Sequence, residues 1–524
     1  MNANHVLSAQ SGTLQNYNAA VDLIERNLAA RPDKIAYIDE NGRYSFTELA
    51  ERVNRCANAL RGLGLSMEAR VMICLTDTID FPTAFLGAIK AGLVPIAVNT
   101  LLTSSDYSFM LSDSRAQALI VSEPLLPGFQ PILDDQPFLK HVVLSGGNPS
   151  GYPRLADLMA ATASDFDAAP TRADDACFWL YSSGSTGTPK GTVHMQTSPI
   201  RTAELYGQPI LGIRESDVVF SAAKLFFAYG LGNALSFPLS VGATTVLLGE
   251  RPTPASVCRI LRQHRPTIFY GVPTLYSALL ASAELPQREE LNLRRCTSAG
   301  EALPPDVGRR WLEHTGVDIL DGLGSTEMLH IFLSNRPGEV RYGTSGRPVP
   351  GYDIRLVDEE GKLVPKGEIG ELQVAGPTSA AFYWNNREKS RNTFLGQWTK
   401  SGDKYIESED GYFTYCGRAD DMLKVSGIWV SPFEVEAALA SHGAVLEAAV
   451  VGHGDENGLI KPKAFVVLRA ATPPTPDLAA ALQQHVKSRL APYEYPRWIE
   501  FVPELPKTAT GKIQRFKLRA AGGV

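Results

Sequence analysis

Apolar positions along the chain follow two rhythms that alternate for most of its length. Ser45 opens the stretch FTELAERVNRCANALRGLG, where apolar residues recur at helical spacing until Gly62 and Gly64 end it. Tyr17 to Gly64 therefore reads as helix, short strands and helix. From Arg70 to Asn99 an apolar strand (VMICL) leads into a helix (TAFLGAIKAG) and a second strand (VPIAVN). Strand, helix, strand in that order is a βαβ unit and predicts a parallel sheet. The alternation returns at ALIVS, HVVLS, TTVLL and TIFYG, so the large part of the chain is a layered α/β body with no short-period repeat. Around Val340 to Gly376 it gives way to short strands separated by Gly and Pro, which predicts a small β subdomain closing that body.

The last hundred or so residues form a separate pattern. Ser431 caps a helix start, with Pro432 in the first helical position and Glu434 placed to reach back. The strands LEAAVVG and KAFVVLR follow, then the helix LAAALQQHVKSRL, the strand WIEFVP and a final basic helix. That is enough for a compact α/β module. The polar run from Gly417 to Asp421 is the natural joint. The expected division is a loose tail over 1–16, a body over 17–418, a hinge over 419–421 and a C-terminal domain over 422–524.

Composition narrows the class. With 524 residues the chain exceeds what one hydrophobic core supports, and 44% hydrophobic with 20% charged residues describes an ordinary globular protein. A net charge of -6, without long runs of either sign, implies no extended nucleic-acid or membrane surface. Any basic site must be local. The six cysteines are scattered without a CxxC pair and read as reduced core residues. Met1 to Tyr17 lacks the basic start and apolar core of a signal peptide, and no apolar run has membrane length, so a cytoplasmic protein is expected.

The strongest chemical signal is Tyr181-Ser-Ser-Gly-Ser-Thr-Gly-Thr-Pro-Lys190-Gly191, directly after the apolar strand CFWL. A turn this rich in Gly leaves backbone N–H groups free to curl round an anion, and Ser and Thr hydroxyls and one Lys add donors. Ser182, Ser183, Gly184, Ser185, Thr186, Gly187, Thr188 and Lys190 are thus candidate phosphate ligands. The P-loop pattern fails, because Pro189 precedes the Lys and Gly191 follows it.

This loop resembles the phosphate loop of the adenylate-forming superfamily, which includes acyl-CoA synthetases, peptide-synthetase adenylation domains and beetle luciferases. Further landmarks of that family appear in order over nearly the whole chain. In Asp321-Gly-Leu-Gly-Ser-Thr326-Glu327 the resemblance implies that Glu327 takes Mg²⁺, Thr326 touches phosphate, and Asp321, beside Gly322, accepts from the adenine amino group. Leu323 stands where the family often has Tyr. In Trp398-Thr-Lys-Ser-Gly-Asp403 the acid matches the residue that grips both ribose hydroxyls, and Arg418 matches the basic residue beside it. Asp420 matches the hinge acid about which the small domain rotates between half-reactions. Lys424, Ser426 and Gly427 resemble the stretch lining the pantetheine tunnel. Lys512, in Pro506-Lys-Thr-Ala-Thr-Gly-Lys512, matches the lysine delivered to the carboxylate and α-phosphate. One such donor, held out of bulk water, contributes about 3 kcal/mol.

By the same resemblance the acid pocket is lined from three places. They are Phe227, Ala228 and Tyr229; Ala299 with Gly300 and Glu301, the last two turned to the nucleotide; and Gly324 with His330 and Ile331. Aromatic walls above small residues suit a flat ring. Phe and Ala occupy the region where peptide-synthetase domains place an Asp, so an amino acid's ammonium would be left unpaired. The stretches FSAAKLFFAYGLGNALSFP and GSTEMLHIFLSN resemble bacterial benzoate:CoA ligases. The implied activity joins benzoate or a close aromatic acid to coenzyme A, using ATP and Mg²⁺ and passing through an aroyl-AMP. 4-Hydroxybenzoate is the alternative acid and carrier loading the alternative acceptor; His330 is the one polar side chain placed to meet a ring substituent. The resemblance also implies a homodimer, and acetylation of Lys512 by a lysine acetyltransferase, reversed by a deacetylase. A serine hydrolase is excluded, since Ser185, Ser325 and Ser345 lack the GxSxG elbow.

Overall fold

The computed structural model describes residues 16–147, 151–182, 189–418, 421–425, 428–455, 459–470, 472–491, 494–507 and 513–521. The loop residues Ser183 to Thr188, Asp420, Ser426, Gly427 and Lys512 lie outside the described residues, as does the side chain of Lys424.

The layered α/β body is present as two large sheets. One has seven strands and carries the βαβ unit read from the sequence: Arg70–Cys74 and Val94–Ala97 pair in parallel across the helix Asp80–Lys90. Its strands Ala118–Ser122 and His141–Ser145 extend the parallel set on one side. Ala176–Ser182, Lys190–Met195 and the short Phe382–Tyr383 extend it on the other, the last two as antiparallel additions. The second sheet has nine strands, whose parallel centre runs through Val218–Ser221, Ile268–Gly271, Arg295–Ser298 and Ile319–Gly324. On that side it continues through the antiparallel strand Ile331–Ser334 to the edge strand Arg347–Pro348.

Near-continuous apolar strands such as Ala118–Ser122, buried at every position, are what a sheet covered on both faces requires. The helix Phe46–Gly62 begins as expected: Ser45 accepts from the Glu48 N–H while Glu48 closes a capping box. One shared core joins the two sheets, with Phe46, Phe81, Phe85 and Phe178 almost fully buried beside Phe237 and Met328.

The Gly- and Pro-punctuated stretch forms a five-stranded sheet containing Asp353–Val357, Ile369–Ala375, Trp398–Glu407 and Phe413–Arg418. Beyond it, Val445–Gly454, Ile460–Leu468 and Trp498–Phe501 make a three-stranded sheet. The clusters that pack there, around Val435, Val450, Val466 and Phe465, draw only on residues after 422. At the helix Pro432–Ala440 Ser431 accepts from the Glu434 N–H, as predicted. The Ser431 hydroxyl donates to the Cys416 carbonyl, tying this helix to the preceding sheet, and Glu434 forms no reciprocal cap. Among the described residues no helix is long and apolar enough to cross a membrane.

Candidate active site

The residues expected to hold phosphate flank a hairpin. Strands Ala176–Ser182 and Lys190–Met195 are antiparallel, with Ser182 directly opposite Lys190, so the ends of the glycine-rich loop are fixed as neighbours. From the adjacent edge Tyr383 pairs with Thr192. The Lys190 ammonium lies 4.8 Å from the centre of the Tyr383 ring.

Thr326 and Glu327 sit on a tight turn between Ile319–Gly324 and Ile331–Ser334. Leu329 in that turn takes φ of 65°, a left-handed conformation uncommon for a residue with a side chain. Three successive carbonyls anchor it. His194 Nε2 donates to Thr326 O at 2.9 Å, Ala380 N to Glu327 O at 2.7 Å, and Thr378 Oγ1 to Met328 O at 2.8 Å. A strained turn persists where surrounding contacts over-determine it. His194 is fully buried against Phe178, and burial lowers its pKa to about 4, so the neutral ring carries its proton on Nε2. The Glu327 carboxylate is half-buried, and its Oε1 accepts from Ser182 Oγ at 3.2 Å and from Tyr383 Oη at 2.8 Å.

This donor set fits Mg²⁺. Among the described residues no three His, Cys, Asp or Glu gather to hold an ion by protein ligands alone. Mg²⁺ keeps several waters and is usually bound through one or two carboxylates plus substrate phosphates, which is what a single half-buried glutamate beside a phosphate loop provides.

Asp321, on the same strand, is buried, and desolvation raises its pKa to about 8. Its Oδ1 has no hydrogen-bond partner among the described residues, nor does the nearby Ser298 hydroxyl. An orphaned buried acceptor is costly unless a ligand completes it, which fits an exocyclic amine. Gly300 follows on an exposed turn with φ of 95°, with Glu301 half-buried after it.

Asp403 and Arg418 face each other across neighbouring strands of the five-stranded sheet, with Arg418 Nη1 3.1 Å from Asp403 Oδ1. The buried Tyr405 phenol lies within electrostatic reach of both Asp403 and Asp321. Asp403 and Asp321, the acids expected to meet ribose and adenine, therefore share one neighbourhood.

Of the residues expected to line the acid pocket, Tyr229 and Gly324 lie against His330. Its Nε2 lies 3.1 Å from Asn233 Oδ1 and 3.2 Å from Tyr229 O, both acceptors, so that nitrogen carries the proton. Burial lowers its pKa to about 3. The ring packs among Phe237, Tyr229 and Tyr206, with centroids 4.5 to 5.5 Å away. Two glycines admit this arrangement. A Cβ on Gly232 would lie 2.3 Å from His330 Cδ2, and one on Gly324 2.6 Å from His330 O. Buried Ala299 and Ile331 add small and aliphatic surface, while Phe227 and Ala228 are half-buried at the start of the 228–231 helix. Leu323 packs partly against the core. His330 thus commits its Nε2 proton to an internal network, while its buried Nδ1 has no hydrogen-bond partner among the described residues.

Sequence reasoning missed several residues. Tyr383, His194 and Thr378 reach the Thr326–Glu327 turn from distant segments. The pocket segment at 224–230 is pinned by the buried Asp77, which accepts from the Leu225 N–H at 3.3 Å and lies 3.6 Å from the Lys224 ammonium. Tyr229 is oriented by a hydroxyl contact with Thr297. None carries a local motif.

Around the two unseen landmarks of the C-terminal region the flanks are described. Lys507 pairs with Glu447 at 2.6 Å and bridges to Ile513, so the chain on either side of Lys512 returns to the same place. Arg515 then grips Glu436 at 2.7 and 2.8 Å. Asp421, the last residue of the expected hinge, accepts from Arg519 at 2.7 Å. Hinge end and lysine flank are both tied to the last helix.

Comparison with known proteins matches residues 24–384 to the AMP-binding enzyme family and residues 434–512 to the AMP-binding enzyme C-terminal domain. The chain belongs to this family. Among its relatives, the benzoate–CoA ligase of Thauera aromatica is 64% identical over 97% of this chain and 96% of its own length. The 4-hydroxybenzoate–CoA/benzoate–CoA ligase of Rhodopseudomonas palustris is 51% identical over 98% of this chain and 96% of its own. The crystal structure of the anthranilate CoA ligase AuaEII in complex with anthranoyl-AMP superposes with a TM-score of 0.93 at 46% identity, covering 97% of this chain and 98% of that one. The family places the Asp321 and Glu327 strand and turn within an adenylate-forming α/β enzyme.

Proposed function

We propose that this enzyme ligates benzoate to coenzyme A with ATP, through benzoyl-AMP, releasing pyrophosphate and AMP. The observation that carries the choice of acid is the neutral, aromatic-walled setting of His330, whose Nε2 proton is committed to Asn233 and Tyr229 and which offers no charge for an ammonium. High identity to a relative named for benzoate supports it.

In the first half-reaction the benzoate carboxylate attacks the α-phosphorus of ATP and pyrophosphate leaves. In this reading Ser182, the 183–188 loop and Lys190 take the phosphates, Thr326 touches them, Asp321 accepts from adenine, and Asp403 beside Arg418 holds the ribose. Mg²⁺ at Glu327 supplies charge neutralisation on the phosphate oxygens. Lys512 donates to the carboxylate and α-phosphate. The C-terminal domain then turns about 419–421, withdrawing Lys512 and presenting Lys424, Ser426 and Gly427 to the pantetheine arm. The coenzyme A thiolate attacks the acyl carbon and AMP departs. Separating the steps keeps water from the mixed anhydride. The homodimer, the cytoplasmic location and acetylation of Lys512 belong to the same reading; acetylation would remove the donor's charge.

The test is coenzyme A-dependent AMP formation across aromatic, aliphatic and amino acids. Benzoate is expected to give the highest kcat/KM, with 4-hydroxybenzoate below it. A higher value for an aliphatic acid, or AMP release indifferent to coenzyme A, overturns the reading.

A further inference from the structure

The Glu327 carboxylate is held in a one-sided way. Two hydroxyls, Tyr383 Oη at 2.8 Å and Ser182 Oγ at 3.2 Å, converge on Oε1. Among the described residues no group donates to Oε2. An ionised carboxylate has lone pairs on both oxygens, so saturating one with fixed donors aims the other.

Tyr383 is itself firmly placed. It is almost fully buried, pairs with Thr192 on the strand that starts at Lys190, and rests its ring 5.1 Å from that of Phe394. Its N–H donates to Ser390 Oγ at 3.0 Å, and the next residue's N–H donates to Gly191 O at 2.8 Å. The ring face turned to the Lys190 ammonium, 4.8 Å away, lies within the range of cation–π attraction. One side chain therefore touches both the phosphate-loop lysine and the acid of the distant 321–327 motif.

We infer that Tyr383 is a positioning residue for metal binding, holding Glu327 Oε1 so that Oε2 is presented to Mg²⁺ while its ring steadies Lys190 beside the same triphosphate. The inference rests on the reading of Glu327 as the metal ligand. A free glutamate side chain loses rotamer freedom when it is immobilised. Here that ordering is complete before an ion arrives. Groups that orient a ligating carboxylate act on metal affinity rather than on bond chemistry.

Tyr383→Phe keeps the ring, its packing and its face toward Lys190 but deletes the donor. The Mg²⁺ concentration for half-maximal benzoate-dependent pyrophosphate release is expected to rise about tenfold or more. Calorimetric affinity for ATP in EDTA, and thioester formation from supplied benzoyl-AMP, should stay at the wild-type level. Ser182→Ala removes the second donor to Oε1 and should shift the Mg²⁺ requirement in the same direction, beyond any loss of metal-free ATP affinity that follows from its phosphate contact; should Tyr383→Phe not fold, Tyr383→Trp, which keeps an aromatic ring but lacks the phenol, carries the test. An unchanged Mg²⁺ requirement overturns the inference, and so does a loss of metal-free ATP affinity by the same factor, the mark of a general packing defect. Glu327→Gln is measured in parallel. If that variant leaves the Mg²⁺ requirement unmoved, the reading of Glu327 fails; if it moves while Tyr383→Phe does not, only the role of Tyr383 falls.

Discussion

Two sites that share one strand–turn–strand segment, residues 319–334, are built on opposite electrostatic plans. At His330 every polar atom that could carry charge is kept neutral: burial holds the imidazole uncharged and Asn233 and Tyr229 take its proton's hydrogen bonds. A few residues earlier Glu327 stays half-exposed and is dressed with hydroxyl donors, with a lysine close by. A benzoate ring presents only faces and edges, so charge in its pocket would pay a desolvation penalty for nothing. A triphosphate needs the reverse, fixed donors and cations at a wet opening. Under the proposed function, the short segment between the two is where the carboxylate of one ligand would meet the α-phosphorus of the other.

That meeting point offers the sharpest way to break the comparison. Lys512→Ala is expected to lower benzoate-dependent pyrophosphate release by roughly 10²- to 10³-fold while leaving benzoyl-AMP conversion to the thioester nearly intact. Equal loss in both half-reactions, measured separately, would remove Lys512 from the adenylation step.

Next in size is an attack on the neutral site alone. Because a Cβ on Gly232 would stand 2.3 Å from His330 Cδ2, Gly232→Ala must displace the ring. A misplacement near 1 Å costs up to about 10²-fold, so kcat/KM for benzoate should fall by about ten- to a hundredfold with the KM for ATP unmoved. A parallel rise in the KM for ATP would show that the two sites are not independent.

The smallest effects near neutral pH come from titration, and they separate the regions by sign. His330 and His194, with folded pKa values of about 3 and about 4, lie below the ordinary 6.5. Their contribution to stability is therefore present above pH 6.5 and lost as pH falls toward those values. Asp321, raised from 3.8 to about 8, behaves oppositely: its contribution is complete below about pH 4 and lost as pH rises through 8. Each group adds a slope of at most about 1.4 kcal/mol per pH unit. Denaturant midpoints of the nucleotide-free protein should show His330→Asn flattening the fall in stability as pH drops from about 6.5 to 3, and Asp321→Asn removing the opposing fall as pH rises from about 4 to 8. Unchanged slopes would contradict the burial of these groups as ionisable pairs of opposite sense.

Where a signal was local in the chain, the sequence by itself mostly determined the outcome, the missing reach-back of Glu434 at the 432–440 helix being an exception. The Ser45 capping box, the βαβ unit at 70–97, the hairpin ends at Ser182 and Lys190 and the order of the nucleotide motifs all follow from residues a few positions apart, whose backbone preferences and hydrophobic periods act over one element. What only the tertiary structure decided is which distant groups complete them. His194 reaches Thr326 across 132 positions, Tyr383 reaches Glu327 across 56, and Asp77 reaches Leu225 across 148. His330 could be read as a ring-substituent contact until Asn233 and Tyr229 were seen to claim its Nε2. Hydrogen bonds of this kind have no period and no spacing rule; they exist because packing two sheets on one core excludes water and makes it favourable for a buried polar atom to pair with whatever partner the fold brings within 3 Å or so, while a few, such as Asp321 Oδ1, are left without one.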